Sequence, residues 1–285
     1  MTAGITPPGF RLPADAHVGR VRLQVGDLSR SIEFYEGLLG FQRLGAKPGR
    51  ATLGVDGTPL IELEERSGTQ PVMPRSRLGL FHFAILLPDR ASLGRAMLHL
   101  AQAGVGLGMA DHLVSEALYL SDPDGLGIEI YADRPRETWP RDGNELRMTT
   151  DPLDTGSLVR AAEGTPWTGM PSGTTIGHVH LHVRDLAEAR RFYHEALGLD
   201  ITHSRYPGAL FLSAGGYHHH VGLNTWAGPR AAAPGVDEAQ LLDWELVIPA
   251  RVSVEAAKES LRSAGFTSDA ATGRVADPWG TALKL

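Results

Sequence analysis

The chain has no cysteine among its 285 residues but twelve histidines, so imidazole and carboxylate are the groups it can bring to metal or acid–base chemistry. Disulfides, thiolate metal sites, iron–sulfur clusters and cysteine nucleophiles are all excluded. Any ion must be held through nitrogen and oxygen. In IGHVHLHV, from Ile176, the imidazoles of His178, His180 and His182 alternate with Val179, Leu181 and Val183. Alternate residues of a strand share a face, so the histidines line one side while the aliphatics pack beneath helices. His82 and Glu129 alternate with apolar neighbours likewise. The half-buried face of an ordinary sheet carries the same pattern, so no one histidine here means a ligand on its own. In GGYHHHVGLNTW, residues 215–226, three successive histidines cannot all meet one ion, because adjacent strand residues point opposite ways. If Val221 and Leu223 face the helices, His218, His220 and Asn224 face a cleft and His219 points away. His17, His99, His194 and His203 fall at termini, on helices or in loops and read as solvated groups without a role.

These residues must be positioned by repeated elements. VGRVRLQVGDLSRSIEFYEGLLGF, from Val18, lies over IGHVHLHVRDLAEARRFYHEALGL, from Ile176, without a gap. Each copy begins with alternation of period two and passes an aspartate, Asp27 or Asp185, placed to cap a helix. Helical spacing follows through Ile32, Phe34, Tyr35 and Leu38, or Ala189, Phe192, Tyr193 and Leu197. Gly40 and Gly198 then stand where helices end. A second pair, FHFAILLPDRASLGRAMLHLAQAGV from Phe81 and DWELVIPARVSVEAAKESLRSAGF from Asp243, aligns on Pro88 and Pro249, and its copies close with DPDGLGIEI and DPWGTALKL, a tight turn and a last strand. The expected organisation is α+β, four βαβββ units near residues 16–66, 78–133, 175–227 and 240–285, grouped as a first pair in 1–133 and a second in 175–285. Residues 134–174, rich in Pro, Gly, Thr and Asp, read as the connection between the pairs.

The bulk composition narrows the partners. A net charge of −6 with no basic stretch argues against nucleic acid and for a small molecule. The start, MTAGITPPGFRLPADA, lacks the cationic and apolar runs of a signal peptide, and no later stretch approaches the eighteen apolar residues of a membrane helix. The expectation is therefore a soluble cytoplasmic protein, with homo-oligomerisation left open.

The repeat resembles the vicinal oxygen chelate superfamily, which includes glyoxalase I, antibiotic-resistance proteins and extradiol dioxygenases. That resemblance implies units paired into incomplete barrels around one divalent ion, with ligands on first and last strands. Its first-strand position, seven before the capping aspartate, falls on Arg20, His82, His178 and Asp243 in the four units, and its last-strand position on Glu129 and Lys284. Pairing unit two with unit three assembles His82, Glu129 and His178, two histidines and a carboxylate, the set that suits non-haem Fe(II). No other pairing gives such a set, so the inner units are expected to enclose the metal and the outer units to pair with each other.

Residues 110–129, ADHLVSEALYLSDPDGLGIE, are similar to the extradiol dioxygenase signature: a histidine, a hydrophobic–tyrosine pair, an acidic–proline turn with glycine, and the ligand glutamate, with Ala110 as a departure. The resemblance implies ring cleavage of a catechol-type diol by O2 at mononuclear Fe(II), with Mn(II) or another divalent ion a substitute in purified protein. Tyr119 would touch the bound diol, with Asn224 and His180 also toward substrate. An acid–base histidine is implied near residues 218–220, His220 first and His218 second, since imidazole titrates near neutrality. The rival enzyme reading is a glyoxalase-like isomerase or lyase that uses Glu62 or Glu64 with His82 and Glu129 around Zn(II), Ni(II) or Mn(II). The rival outside catalysis is a metal-free small-molecule-binding protein of the resistance type.

Overall fold

A computed structural model describes residues 4–73, 75–162, 164–269 and 271–285. The first unit runs through β1 (His17–Val25), helix α1 (Leu28–Ile32), β2 (Gln42–Lys47), β3 (Arg50–Val55) and β4 (Thr58–Glu65). The second holds β5 (Gly79–Leu87), α2 (Arg90–Gln102), β6 (Gly108–Asp111), β7 (Ser115–Ser121) and β8 (Gly127–Asp133). A connecting stretch carries β9 (Arg141–Asp142), β10 (Glu145–Leu146) and α3 (Thr155–Ala161). The third unit has β11 (Thr175–His182), α4 (Leu186–Arg190), β12 (Asp200–His203), β13 (Ala209–Ser213) and β14 (Val221–Asn224). In the fourth, β15 (Gln240–Val247), α5 (Arg251–Ser263), β16 (Arg274–Ala276) and β17 (Ala282–Lys284) make one strand fewer than the repeat predicts. Among the described residues of 264–273, the only pairing is an isolated bridge, Ser268 to Val275.

The strands form two large sheets, and the units are shared between them as the ligand chemistry predicts. β5 and β11 pair antiparallel at the centre of an eight-stranded sheet, β12-β13-β14-β11-β5-β8-β7-β6, which unites units two and three. β1 and β15 do the same in a seven-stranded sheet, β16-β17-β15-β1-β4-β3-β2, built from units one and four. One apolar core joins the two, with Val179, Leu181 and Val183 of the inner sheet and Val21, Leu23 and Trp244 of the outer sheet buried in it.

The predicted caps form. Asp27, Asp89 and Asp185 each accept a hydrogen bond from the backbone N–H three residues on, which meets one of the open donors of a helix start. α1 and α4 do not stay α-helical, however: each widens into a π-turn, at Glu33–Leu38 and Arg191–Ala196. Because both copies do so, the widening belongs to the repeat. From these turns Tyr35 Oη donates to Asp122 Oδ2 at 3.0 Å and Tyr193 Oη to Asp277 Oδ2 at 2.9 Å, tying unit one to the closing turn of unit two and unit three to that of unit four. Two histidines expected in solvent are buried instead. His194 Nδ1 lies 2.7 Å from the Leu199 carbonyl oxygen, and His203 is 8% exposed, its ring beside Tyr206 and Phe211. His99 is half-buried and stacks on Trp167.

Candidate metal centre

The three expected ligands converge. His82 on β5, Glu129 on β8 and His178 on β11 are buried, and one donor atom from each lies within 4.8 Å of the others. Glu129 Oε2 is 3.0 Å from His82 Nε2 and 3.1 Å from His178 Nε2. Donors bound at about 2.1 Å to adjacent corners of an octahedron stand about 3 Å apart, so the spacing already suits a shared ion. His82 Nε2, though 3.0 Å from Glu129 Oε2, makes no hydrogen bond of good geometry, a buried polar atom that a bound ion would satisfy. Burial works against a charged Glu129, but the two imidazoles turned on its carboxylate outweigh this and hold its carboxyl well below the usual range. Burial likewise drives the His178 imidazolium down to about 4, leaving a neutral ring fit to coordinate. The residues present fit a divalent ion.

The register of β5 against β11 places the site. His180 pairs with His82 and His178 with Ala84, with shifts between Ile176 and His178 and between His180 and Leu181. Such bulges re-aim side chains next to functional sites. Gly177 sits in the first shift, where a Cβ would stand 1.8 Å from Tyr131 Oη. At Gly222, a Cβ would meet the His180 ring at 2.8 Å, so that glycine leaves the space His180 occupies.

Above these residues opens a cavity of about 900 Å³ lined by His82, Glu129, His112, Tyr119, His180 and His219, with Phe81, Tyr206, Phe211 and Trp226 among its aromatic walls. Tyr119 faces it as expected, its Oη 2.6 Å from His112 Nε2, while His112 Nδ1 is 2.5 Å from the Thr149 carbonyl oxygen. Met148, Thr149 and Thr150 of the connection also line the cavity, so this stretch covers the site as well as joining the halves. His180 reaches the cavity with a buried Nε2 that has no partner.

Residues 218–220 do not alternate as expected. His219 lines the cavity, 4.0 Å ring to ring from His178, whereas His218 and His220 do not. His220 stacks on Tyr217 and its Nδ1 accepts from the Ala214 N–H at 3.1 Å. The physical reason is that β14 begins only at Val221; residues 214–220 turn and bend, and alternation holds only inside a strand. Asn224 shares the face of His182 but is fully buried behind it, its Oδ1 2.6 Å from His182 Nδ1, and it does not line the cavity.

His218 instead supports His219. Its Nε2 lies 2.8 Å from Asp133 Oδ1 and its Nδ1 2.9 Å from His219 Nδ1. A carboxylate only accepts, so His218 donates through Nε2; a neutral His218 then accepts at Nδ1 from the Nδ1–H of His219. That tautomer leaves His219 Nε2 with a free lone pair. The run of three histidines carries no mark of the bend that turns His219 toward the cavity. His112 was visible as the histidine of the signature.

The outer sheet has no such centre among the described residues. Arg20 pairs with Glu62 and Glu245, Arg22 with Glu64 and Asp243, and Lys284 with Glu245. Glu62 and Glu64, on β4, are thus held by Arg20 and Arg22 of β1 in the sheet that lacks His82, which removes the glyoxalase-like ligand set.

The sequence matches the Glyoxalase/Bleomycin resistance protein/Dioxygenase superfamily over residues 17–130 and 175–281. A catechol-2,3-dioxygenase of Bacillus subtilis (strain 168) is 47% identical over 272 residues, covering 93% of this chain and 94% of that protein. Two crystal structures share the fold at low identity. One is from Bacillus subtilis subsp. subtilis str. 168, with TM-score 0.64, 13% identity and coverage of 96% of this chain and 85% of that one. The other is glyoxalase I from Zea mays, with TM-score 0.52, 17% identity and coverage of 94% and 91%.

Proposed function

Because this chain belongs to the Glyoxalase/Bleomycin resistance protein/Dioxygenase superfamily, we propose that it is an extradiol dioxygenase, opening the ring of a catechol-type diol beside its hydroxyl pair with both atoms of O2. The observation that supports this most directly is the meeting of His82, Glu129 and His178, the first two of them lining an aromatic-walled cavity. In this reading the three hold a ferrous ion, or Mn(II) or another divalent ion in its place, which supplies the electron transfer between diol and dioxygen that no side chain here can perform.

The chain's own residues supply orientation and proton handling. His219 Nε2 accepts a proton as the second hydroxyl of the diol ionises and holds it for return to the opening ring, with Asp133 and His218 keeping its tautomer. Tyr119, braced by His112, and His180 offer hydrogen bonds to the diol and its products. The aromatic walls restrict water and clasp a flat ring. Anaerobic loading with Fe(II), then catechol and O2, should give the yellow muconic semialdehyde with one O2 consumed per ring. Metal-loaded protein that consumes no oxygen with any simple catechol would overturn the proposal.

A further inference from the structure

The cavity's charges are nearly all accounted for. Among the described residues Glu129 is the only carboxylate in its lining, and it is turned to His82 and His178. Arg77 is locked to Glu238 by two hydrogen bonds of 2.7 and 2.6 Å. Arg75 is different. It lines the same cavity, yet among the described residues no carboxylate stands within ion-pair distance of it; its Cζ lies 5.9 Å from the Phe81 ring, and its charge also bears on His182, where it disfavours an imidazolium.

Arg75 is not on a free loop. The Val72 N–H donates to the Asp124 carbonyl at 2.9 Å and the Leu78 N–H to that of Ala232 at 2.9 Å, so both sides of the turn are anchored. Arg75 lies at its tip in the left-handed region, φ 57°. Phe81, beneath the guanidinium, is 4.8 Å ring to ring from His82. The Arg75 guanidinium therefore stands no farther from the ligand histidine's ring than the two steps through Phe81, 5.9 Å and 4.8 Å, laid end to end, a reach that a benzene ring with a short acidic arm can span.

We infer that Arg75 forms an anion subsite at the cavity mouth, and that the preferred substrates are aromatic diols bearing a carboxylate on the ring edge remote from the two hydroxyls. The inference rests on the diol-cleaving reading of the site. An exposed guanidinium loses little solvation when it receives such a group and gains two parallel hydrogen bonds to it.

The test separates recognition from turnover. Calorimetric titration of the metal-loaded protein with phenylacetate and its neutral analogue phenylacetamide reads the anion preference without any cleavage. Steady-state kinetics with 3,4-dihydroxyphenylacetate and 4-methylcatechol then read the same preference in kcat/KM. A charge-assisted pair predicts that wild type favours the acid by about ten- to a hundredfold in both assays. Arg75→Gln should bring both ratios close to one, and Arg75→Lys should restore part of each. Equal binding of acid and amide by wild type, or a preference that survives Arg75→Gln, would overturn the subsite. An Arg75-dependent preference in binding, with no diol cleaved, would support the subsite and sink the dioxygenase reading instead.

Discussion

At the scale of single residues, the centre is organised by one oxygen, Glu129 Oε2, with His82 Nε2 and His178 Nε2 at 3.0 and 3.1 Å from it. His178 comes from a different unit than the other two, so it discriminates among ligand sets. His178→Ala should lose most of its iron and its ring cleavage together, whereas Glu62→Ala with Glu64→Ala should keep both; metal stoichiometry and catechol-dependent oxygen uptake give the comparison, and iron retained by His178→Ala would end the inner-sheet assignment. Proton handling is tested separately. His219→Ala should keep its metal while kcat falls by about two to four powers of ten, and His220→Ala, whose ring lies on Tyr217 away from the cavity, should stay within a few-fold of wild type. Asp133 acts through His218, so Asp133→Asn should cost about ten- to a hundredfold in kcat with KM little changed. A loss confined to KM would show that the Asp133–His218 chain shapes binding and does not hold the His219 tautomer.

At the scale of elements, what could be read from the sequence depended on whether a core enforced the pattern. β11 was legible because Val179, Leu181 and Val183 are driven into the core, which fixes His178, His180 and His182 on the other face. Residues 214–220 were not, because a turn there is set by local hydrogen bonds such as Ser213 Oγ to the Tyr217 carbonyl at 2.6 Å, and no apolar alternation records it. The widening of α1 and α4 was equally hidden, since Phe34, Tyr35, Phe192 and Tyr193 suit an α-turn and a π-turn alike. Its consequence is the buried bond from Tyr35 to Asp122, whose Oδ1 also accepts from the N–H groups of Asp124 and Leu126. Tyr35→Phe should cost about 1–3 kcal/mol of unfolding free energy, the usual penalty for a buried acceptor deprived of its donor, read as a lower urea midpoint. Burial carries Asp122 up to about 6 against the donors that favour its charge. A carboxyl raised on folding contributes stability that is full below its unfolded value near pH 4 and lost as pH rises through about 6. Asp122→Asn should therefore flatten that part of the stability profile, and an unchanged slope between pH 4 and 6 would show that Asp122 does not carry it.

At the scale of the whole molecule, the two sheets repeat one plan with different chemistry. Where the inner sheet places His82, His178 and Glu129, the outer one places Asp243, Arg20 and Lys284, all engaged in ion pairs. Histidine is thereby concentrated in units two and three and mostly buried there, which governs the protein's response to acid. Burial pushes His178 and His182 down to about 4 and His220 to about 3, and it lowers His180, His194, His203 and His219 as well. Each takes up a proton more readily in the unfolded chain, where an imidazole titrates near about 6.5. A group depressed on folding contributes stability that is complete above its unfolded value and is lost as pH falls toward its folded one, so the vulnerable window runs from about 6.5 down to about 3. His178, His182 and His220 alone would remove about 4 kcal/mol per pH unit in the middle of that window, at about 1.4 kcal/mol per proton. Asp122 and Asp277, both raised by burial, work the other way but are two carboxyls against at least three imidazoles. Chelator-treated protein should therefore lose urea resistance steeply between pH 6 and 5. Divalent metal should raise the whole curve by binding the folded state alone, and its benefit should shrink in the same window as protons compete with the ion for the ligand imidazole of His178. Urea midpoints from pH 8 to pH 5, with and without Fe(II) under anaerobic conditions, supply the measurement. A metal-free midpoint that stays level across that range would mean that the histidines are not held neutral by burial, and the picture of neutral imidazoles waiting for an ion would fall with it.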